Sequence, residues 1–152
     1  MDLIDVHRAL GRERFEELVK GVSMGSLKTY RAFDNFKIHA RLHKLNRERL
    51  RRAIPQLWAR IEEGDQDLAR EVSQAALVSN LTLVAVVLDF LGIPHDGNGF
   101  FEKDTIAAEQ LKDGWQQRVW DEYREKYPPA LLLLYINHLD WELGNPSAPF
   151  IP

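Results

Sequence analysis

Apolar residues recur every three or four positions along most of the chain, the spacing that lays one continuous stripe along an α-helix. An opening helix is predicted from Ile4 to Val19, with Val6, Leu10, Phe15, Leu18 and Val19 as its inner positions. Gly21 and Gly25 interrupt the pattern. A second helix starts from Ser26 as N-cap, carries Leu27, Tyr30, Phe33, Phe36 and Ala40, and fades near Leu45. Asn46 caps a third, whose stripe is Leu50, Ile54, Leu57 and Ile61. Pro55 stands inside that stripe and cannot donate to the Arg51 carbonyl, so a kink or break is expected there. Gly64 followed by Asp65 ends this helix and caps the next, which buries Leu68, Val72, Ala75 and Ala76.

Between Leu81 and Leu91 only Thr82 and Asp89 are polar, which places this helix at the centre of the fold. The run from Val84 to Val87 is β-like in composition, but no second such run exists to pair with it. Residues 92–99, Gly-Ile-Pro-His-Asp-Gly-Asn-Gly, form a glycine-rich loop. A short helix is expected from Thr105 to Asp113 and another from Trp115 to Tyr127, stopped by Pro128-Pro129. Proline in the first turn then opens a last helix through Leu143, with Leu132, Ile136, Leu139 and Leu143 inward. The fold class is therefore all-α: about seven helices bundled in one domain over residues 1–144, followed by an extended, proline-containing tail over 145–152. The segments Leu81–Leu91 and Leu132–Leu143 are expected to be central. No internal repeat is evident.

Composition adds constraints. The chain has 152 residues, 45% of them hydrophobic, enough for a core without disulfide or metal staples. It has no cysteine, which excludes disulfides, thiolate metal sites and a cysteine nucleophile. Its net charge of −3 hides unlike parts: residues 1–36 are neutral, residues 37–60 hold eight bases against one acid, and residues 61–152 hold sixteen acids against six bases. The acidic start, Met1-Asp2-Leu3-Ile4-Asp5, lacks the basic and apolar regions of a secretory signal, so a cytoplasmic location is expected. The longest apolar runs fall short of the roughly 18–20 residues of a spanning helix.

The basic segment is the first candidate site. Lys37, Arg41, Lys44, Arg47, Arg51 and Arg52 could meet phosphates, with Trp58 stacking a base or an arginine plane. The bland alternative is that the sixteen acids elsewhere neutralise them within the fold. Asp96-Gly97-Asn98-Gly99-Phe100-Phe101 matches the middle of a calcium-binding loop, but Pro94 and Thr105 stand where the first and last acidic ligands belong. His39 and His43 have metal-ligand spacing in surroundings too basic for a cation. No metal and no cofactor is expected. His138 and Glu142 share that spacing and read as a hydrogen-bonded histidine at a packing margin.

Asp89 is the oddest residue, a carboxylate at the C-terminal end of an apolar helix, where the dipole disfavours it. The amides of the 92–99 loop are its nearest prospective donors, and anchoring that loop is its plain role. The sharper alternative is a pocket lined by Asp89, His95 and Asp96. No phosphate-binding glycine loop, nucleophile elbow or dinucleotide fingerprint is present.

Three functions follow in order. The first is a non-catalytic protein-interaction or self-associating module, using aromatic surface or exchanging the tail Pro149-Phe150-Ile151-Pro152. The second is polyanion or nucleic-acid binding through residues 37–60. The third is a small-molecule enzyme or binding site around the 92–101 loop.

Overall fold

The computed structural model of the chain describes residues 1–25, 47–102, 111–144 and 148–152. Among them are seven helices and no strand: α1 (Leu3–Leu10), α2 (Arg12–Lys20), α3 (Arg47–Glu63), α4 (Gln66–Val78), α5 (Leu81–Phe90), α6 (Trp115–Tyr123) and α7 (Pro129–Glu142). The fold is all-α. The helix expected from Ser26 and most of the one expected from Thr105 lie outside the described residues.

The opening amphipathic run forms two helices instead of the single one expected over Ile4–Val19. Gly11 has φ +87°, which ends α1 and starts α2 on a new axis. Space is not what requires glycine there, since a Cβ would meet nothing within 4 Å; the backbone conformation is. The hydrophobic pattern persists across the corner because both helices turn their apolar sides to the same core. Of the kink or break expected at Pro55, the break does not occur: α3 runs as one helix from Arg47 to Glu63. Pro55 lies on the exposed side of α3, where water can satisfy the carbonyl that lost its donor.

Helix α7 occupies the centre. Every residue from Ala130 to Asp140 except His138 is buried, and the helix packs against α1, α2, α4 and α6. Helix α5 takes an outer place, contrary to the expectation that it too would be central. It buries Leu83, Val84, Val87 and Leu88, leaves Leu81, Ala85 and Val86 half-buried, and exposes Phe90 by 42%. An apolar circumference permits full burial without requiring it, because a folded surface also contains many apolar atoms. A second cluster joins α1, α2, α3 and α4 through residues such as Ile4, Phe15, Leu57, Ile61, Leu68 and Val72.

Two joints carry side-chain caps. Asp65 Oδ1 accepts from the Leu68 amide at 3.0 Å, as the Gly64-Asp65 pair predicts. Helices α4 and α5 meet at 84° across Ser79 and Asn80. There Ser79 Oγ donates to the Ala75 carbonyl at 2.7 Å, and Asn80 Nδ2 donates to that of Ala76 at 2.8 Å. The Ser23 amide donates to Ser79 Oγ at 2.9 Å, tying the elbow to the end of α2.

Residues 148–152 have no regular structure and lie along their own chain. Asn137, fully buried in α7, reads the backbone of Phe150 with both ends of its amide. Its Oδ1 accepts from the Phe150 N–H at 2.6 Å, and its Nδ2 donates to the Phe150 carbonyl at 3.0 Å and the Leu133 carbonyl at 2.8 Å. The Phe150 ring packs against the core cluster centred on α7.

His7 is fully buried between α1 and α4. Ser73 Oγ donates to the Ala69 carbonyl at 2.8 Å, so its lone pairs face His7 Nε2, also at 2.8 Å. Both contacts are satisfied by the tautomer with the proton on Nε2. Burial pushes the imidazole down to about 4. The unfolded chain, with histidine near 6.5, therefore binds more protons than the folded chain as pH falls from 6.5 to 4. This contribution to stability is complete above pH 6.5 and is lost on acidification, by on the order of 3 kcal/mol at the low end. Urea midpoints should fall between pH 6.5 and 5, above the main carboxylate titration, and the slope should be shallower in His7→Gln. An equal slope in that variant would refute the assignment.

Asn137→Ala should cost about 2 kcal/mol and release the tail, since it strands the N–H and the carbonyl of Phe150. Hydrogen exchange at the Phe150 amide should accelerate; unchanged exchange would show that the tail is held by something else.

Candidate functional site

The 92–99 loop is organised by side chains accepting from its own backbone. Asp89 does not reach the loop amides, as the sequence led us to expect; it is 73% exposed and meets His95 Nε2 at 2.7 Å. His95 Nδ1 in turn accepts from the Gly97 amide at 3.0 Å, so the Nε2 proton is the one shared with Asp89. Asp96 Oδ1 accepts from the amides of Asn98 at 2.8 Å and Phe100 at 3.2 Å. The anchoring role thus stands, with an imidazole inserted between the carboxylate and the loop.

His95 and Asp96 also border an open depression of about 490 Å³ with Pro94, Phe100, Phe101 and Glu102. Asp89 is not part of that lining and holds His95 from outside. Both polar side chains of the proposed triad that do face the depression are already engaged in shaping the turn.

The basic segment presents a mixed surface. Lys37, Arg41 and Lys44, with His39 and His43, lie outside the described residues. Arg47, Arg51 and Arg52 are exposed on α3. Arg52 pairs with Glu48, and Arg47 Nη1 donates to the Lys20 carbonyl at 3.4 Å. Arg60 pairs with Asp65 at 2.7 Å. Trp58 is only 8% exposed, packs its ring against Phe15 at 5.3 Å and donates Nε1–H to Glu62 at 2.8 Å. Its ring belongs to the core and offers no face on which a base could stack.

A different cavity combines shape with unspent polarity. It is a partly open hollow of about 230 Å³ inside the elbow of α4 and α5, bordered by α7 and by the tip of the loop. Leu77, Val78, Leu81, Val84, Phe100 and Trp141 make it largely apolar. Gly99 lets the loop come this close: its φ is +85°, and a Cβ would fall 2.7 Å from Val84 Cγ1. Arg70, Gln74, Asn98 and Glu142 supply polar atoms around the lining.

Tyr135 and His138, three residues apart on one face of α7, also line this cavity. The Tyr135 side chain is buried, the residue being 2% exposed, and its hydroxyl has no hydrogen-bond partner among the described residues. His138 Nδ1 is likewise buried and unbonded. Glu142 Oε2 lies 3.9 Å away, beyond hydrogen-bond range, so the expected hydrogen-bonded histidine is corrected to one whose Nδ1 is unspent. Desolvation, with His7 nearby, lowers His138 to about 4, so its ring is neutral at pH 7. Burial, reinforced by the Glu142 charge, raises the Tyr135 phenol and keeps it protonated.

Sequence reasoning noticed His138 and Tyr135 only as neighbours of apolar positions. The available signal was two polar-tipped residues at i and i+3 on an otherwise apolar helix, but its meaning depended on an elbow that local patterning does not reveal. Comparisons with protein-family models, curated proteins and solved structures found no match. No single helix among the described residues is long and apolar enough to cross a membrane.

An unpartnered hydroxyl buried in apolar surroundings is destabilising. Tyr135→Phe should therefore raise the unfolding free energy by about 1 kcal/mol in denaturant melts. A loss of similar size would mean that the hydroxyl makes a bond holding the fold together.

Proposed function

We propose that the protein binds a small molecule in the cavity between α4, α5, α7 and the loop tip. This reading follows the third of the sequence-based expectations, with the site moved from the outer side of the 92–101 loop to its inner side. One observation carries it: Tyr135 and His138, whose Oη and Nδ1 are buried and unbonded among the described residues, both border one largely apolar cavity. Buried polar groups in folded proteins are nearly always satisfied, and placing two unsatisfied ones together has a cost that a bound partner would offset. Such sites join apolar walls to a few convergent polar groups.

The other readings have less support. The arginine surface of α3 has spent part of its charge on local partners, and its tryptophan is used in the core. The tail, offered as an exchangeable segment, is held on its own chain by Asn137.

A cavity of about 230 Å³ is small for a ligand site and larger than the roughly 150 Å³ that accommodates benzene. Single-ring probes are therefore the appropriate size. Titration with p-cresol, p-xylene, benzoate and benzylamine should give saturable shifts of the Trp141 indole N–H in ¹H–¹⁵N spectra for at least one of them. Leu81→Trp, which crowds the cavity from α5, should abolish them. No saturable shift with any of the four would overturn the proposal.

A further inference from the structure

We propose that the open depression on the outer side of the 92–102 segment receives an arginine of α3 from a second copy of this chain, so that copies associate head to tail through unlike charges. The inference does not depend on the small-molecule reading above. It starts from Phe100, which is 73% exposed, the most exposed large apolar side chain among the described residues. Phe100 borders the depression of about 490 Å³ with Pro94 and Phe101, and the carboxylates of Asp96 and Glu102 stand beside them. Apolar surface rimmed by polar groups is the form that an interaction site takes.

Charge selects the occupant. Between Arg70 and Lys103 the chain has no lysine or arginine, while Asp89, Asp96 and Glu102 are all exposed. Asp89 meets His95, and Asp96 accepts from the Asn98 and Phe100 amides, so neither carboxylate is spent on a lysine or arginine among the described residues. A carboxylate that accepts from amides through one oxygen retains acceptor positions for a cation. A guanidinium suits this place better than an ammonium, because its plane can lie against an aromatic ring while its N–H groups reach the carboxylates at the rim.

The same chain supplies that group. The first turns of α3 expose Arg47, Arg49, Arg51 and Arg52 beside a single acid, Glu48, which pairs with Arg52. This end of the helix is therefore positive. It belongs to a different part of the fold from the acidic face: α3 packs in the cluster with α1, α2 and α4, whereas α5 and Ile93 belong to the cluster centred on α7. A second copy brings its α3 to the loop of the first. Arginine and aromatic side chains are the residues enriched where such surfaces meet, and unlike faces in contact extend into rings or chains of copies.

Sedimentation equilibrium of the full chain at about 10 mM salt should show an average mass that rises above the monomer with concentration. At about 300 mM salt the apparent dissociation constant should be at least about tenfold weaker, because screening shortens the reach of exposed charges. Two charge reversals, Asp89→Lys with Glu102→Lys and Arg51→Glu with Arg52→Glu, should each stay monomeric at low salt while keeping a dispersed ¹H–¹⁵N spectrum. An equimolar mixture of the two should associate again, since each then meets its opposite charge, a recovery that misfolded chains would not give. Phe100→Ala leaves every charge in place and should weaken wild-type association at least about fivefold. A wild-type chain that is monomeric at every concentration at low salt would overturn the proposal. So would association that persists in either reversed variant, a mixture that stays monomeric, or an unchanged constant in Phe100→Ala.

Discussion

Burial of α7 is the constraint on which the rest of the molecule depends. A helix enclosed from Ala130 to Leu139 needs neighbours on every side, and α1, α2, α4 and α6 supply them. Apolar side chains satisfy this requirement by contact alone. The polar ones on the same helix need specific partners, and each meets that need differently. Asn137 takes the backbone of the tail, while Asp140 receives a hydrogen bond from Gln116 at 3.0 Å. Tyr135 and His138 border instead a space between helices, their Oη and Nδ1 unbonded among the described residues. The candidate site is thus the part of α7 left over once its other polar groups have found protein partners.

Local patterning carried the all-α class and most helix ends. Gly64-Asp65 and Pro128-Pro129 work through the conformations of single residues, and they act wherever the chain goes. The misread features depend on surroundings. Gly11 was invisible as a breaker because the apolar stripe continues across it. The α5 sequence allows a central position, but only the packed structure shows that α7 holds it. The Asp89–His95 contact joins residues close in sequence, although the choice between imidazole and amide donors is made by the loop's three-dimensional course.

The candidate site was legible only in fragments. Its residues come from α4, α5, the loop and α7, more than 70 positions apart between Arg70 and Glu142. Charge drew attention instead to residues 37–60, where the sequence is most asymmetric. Charge asymmetry is a property of composition, whereas an unsatisfied hydroxyl is a property of packing, and no spacing rule distinguishes a bonded tyrosine from an unbonded one. The buried pair His7 and Ser73 shows a hydroxyl that does have a partner, its proton directed to the Ala69 carbonyl, while His7 Nδ1 is itself unbonded among the described residues. That arrangement joins helices and leaves no accessible nucleophile.

The elbow between α4 and α5 gives the cavity a mechanical character. Leu77 and Val78 line it from one arm, Leu81 and Val84 from the other, and the joint between them is held by Ser79 and Asn80. A rotation of about 10° at the joint would carry Val84, roughly one helical turn along α5, through about 1 Å. The aperture is therefore governed by a lever whose fulcrum lies outside the lining. Substitutions at Ser79, at Asn80 or at the Ser23 tether can resize the chamber while every wall residue keeps its identity.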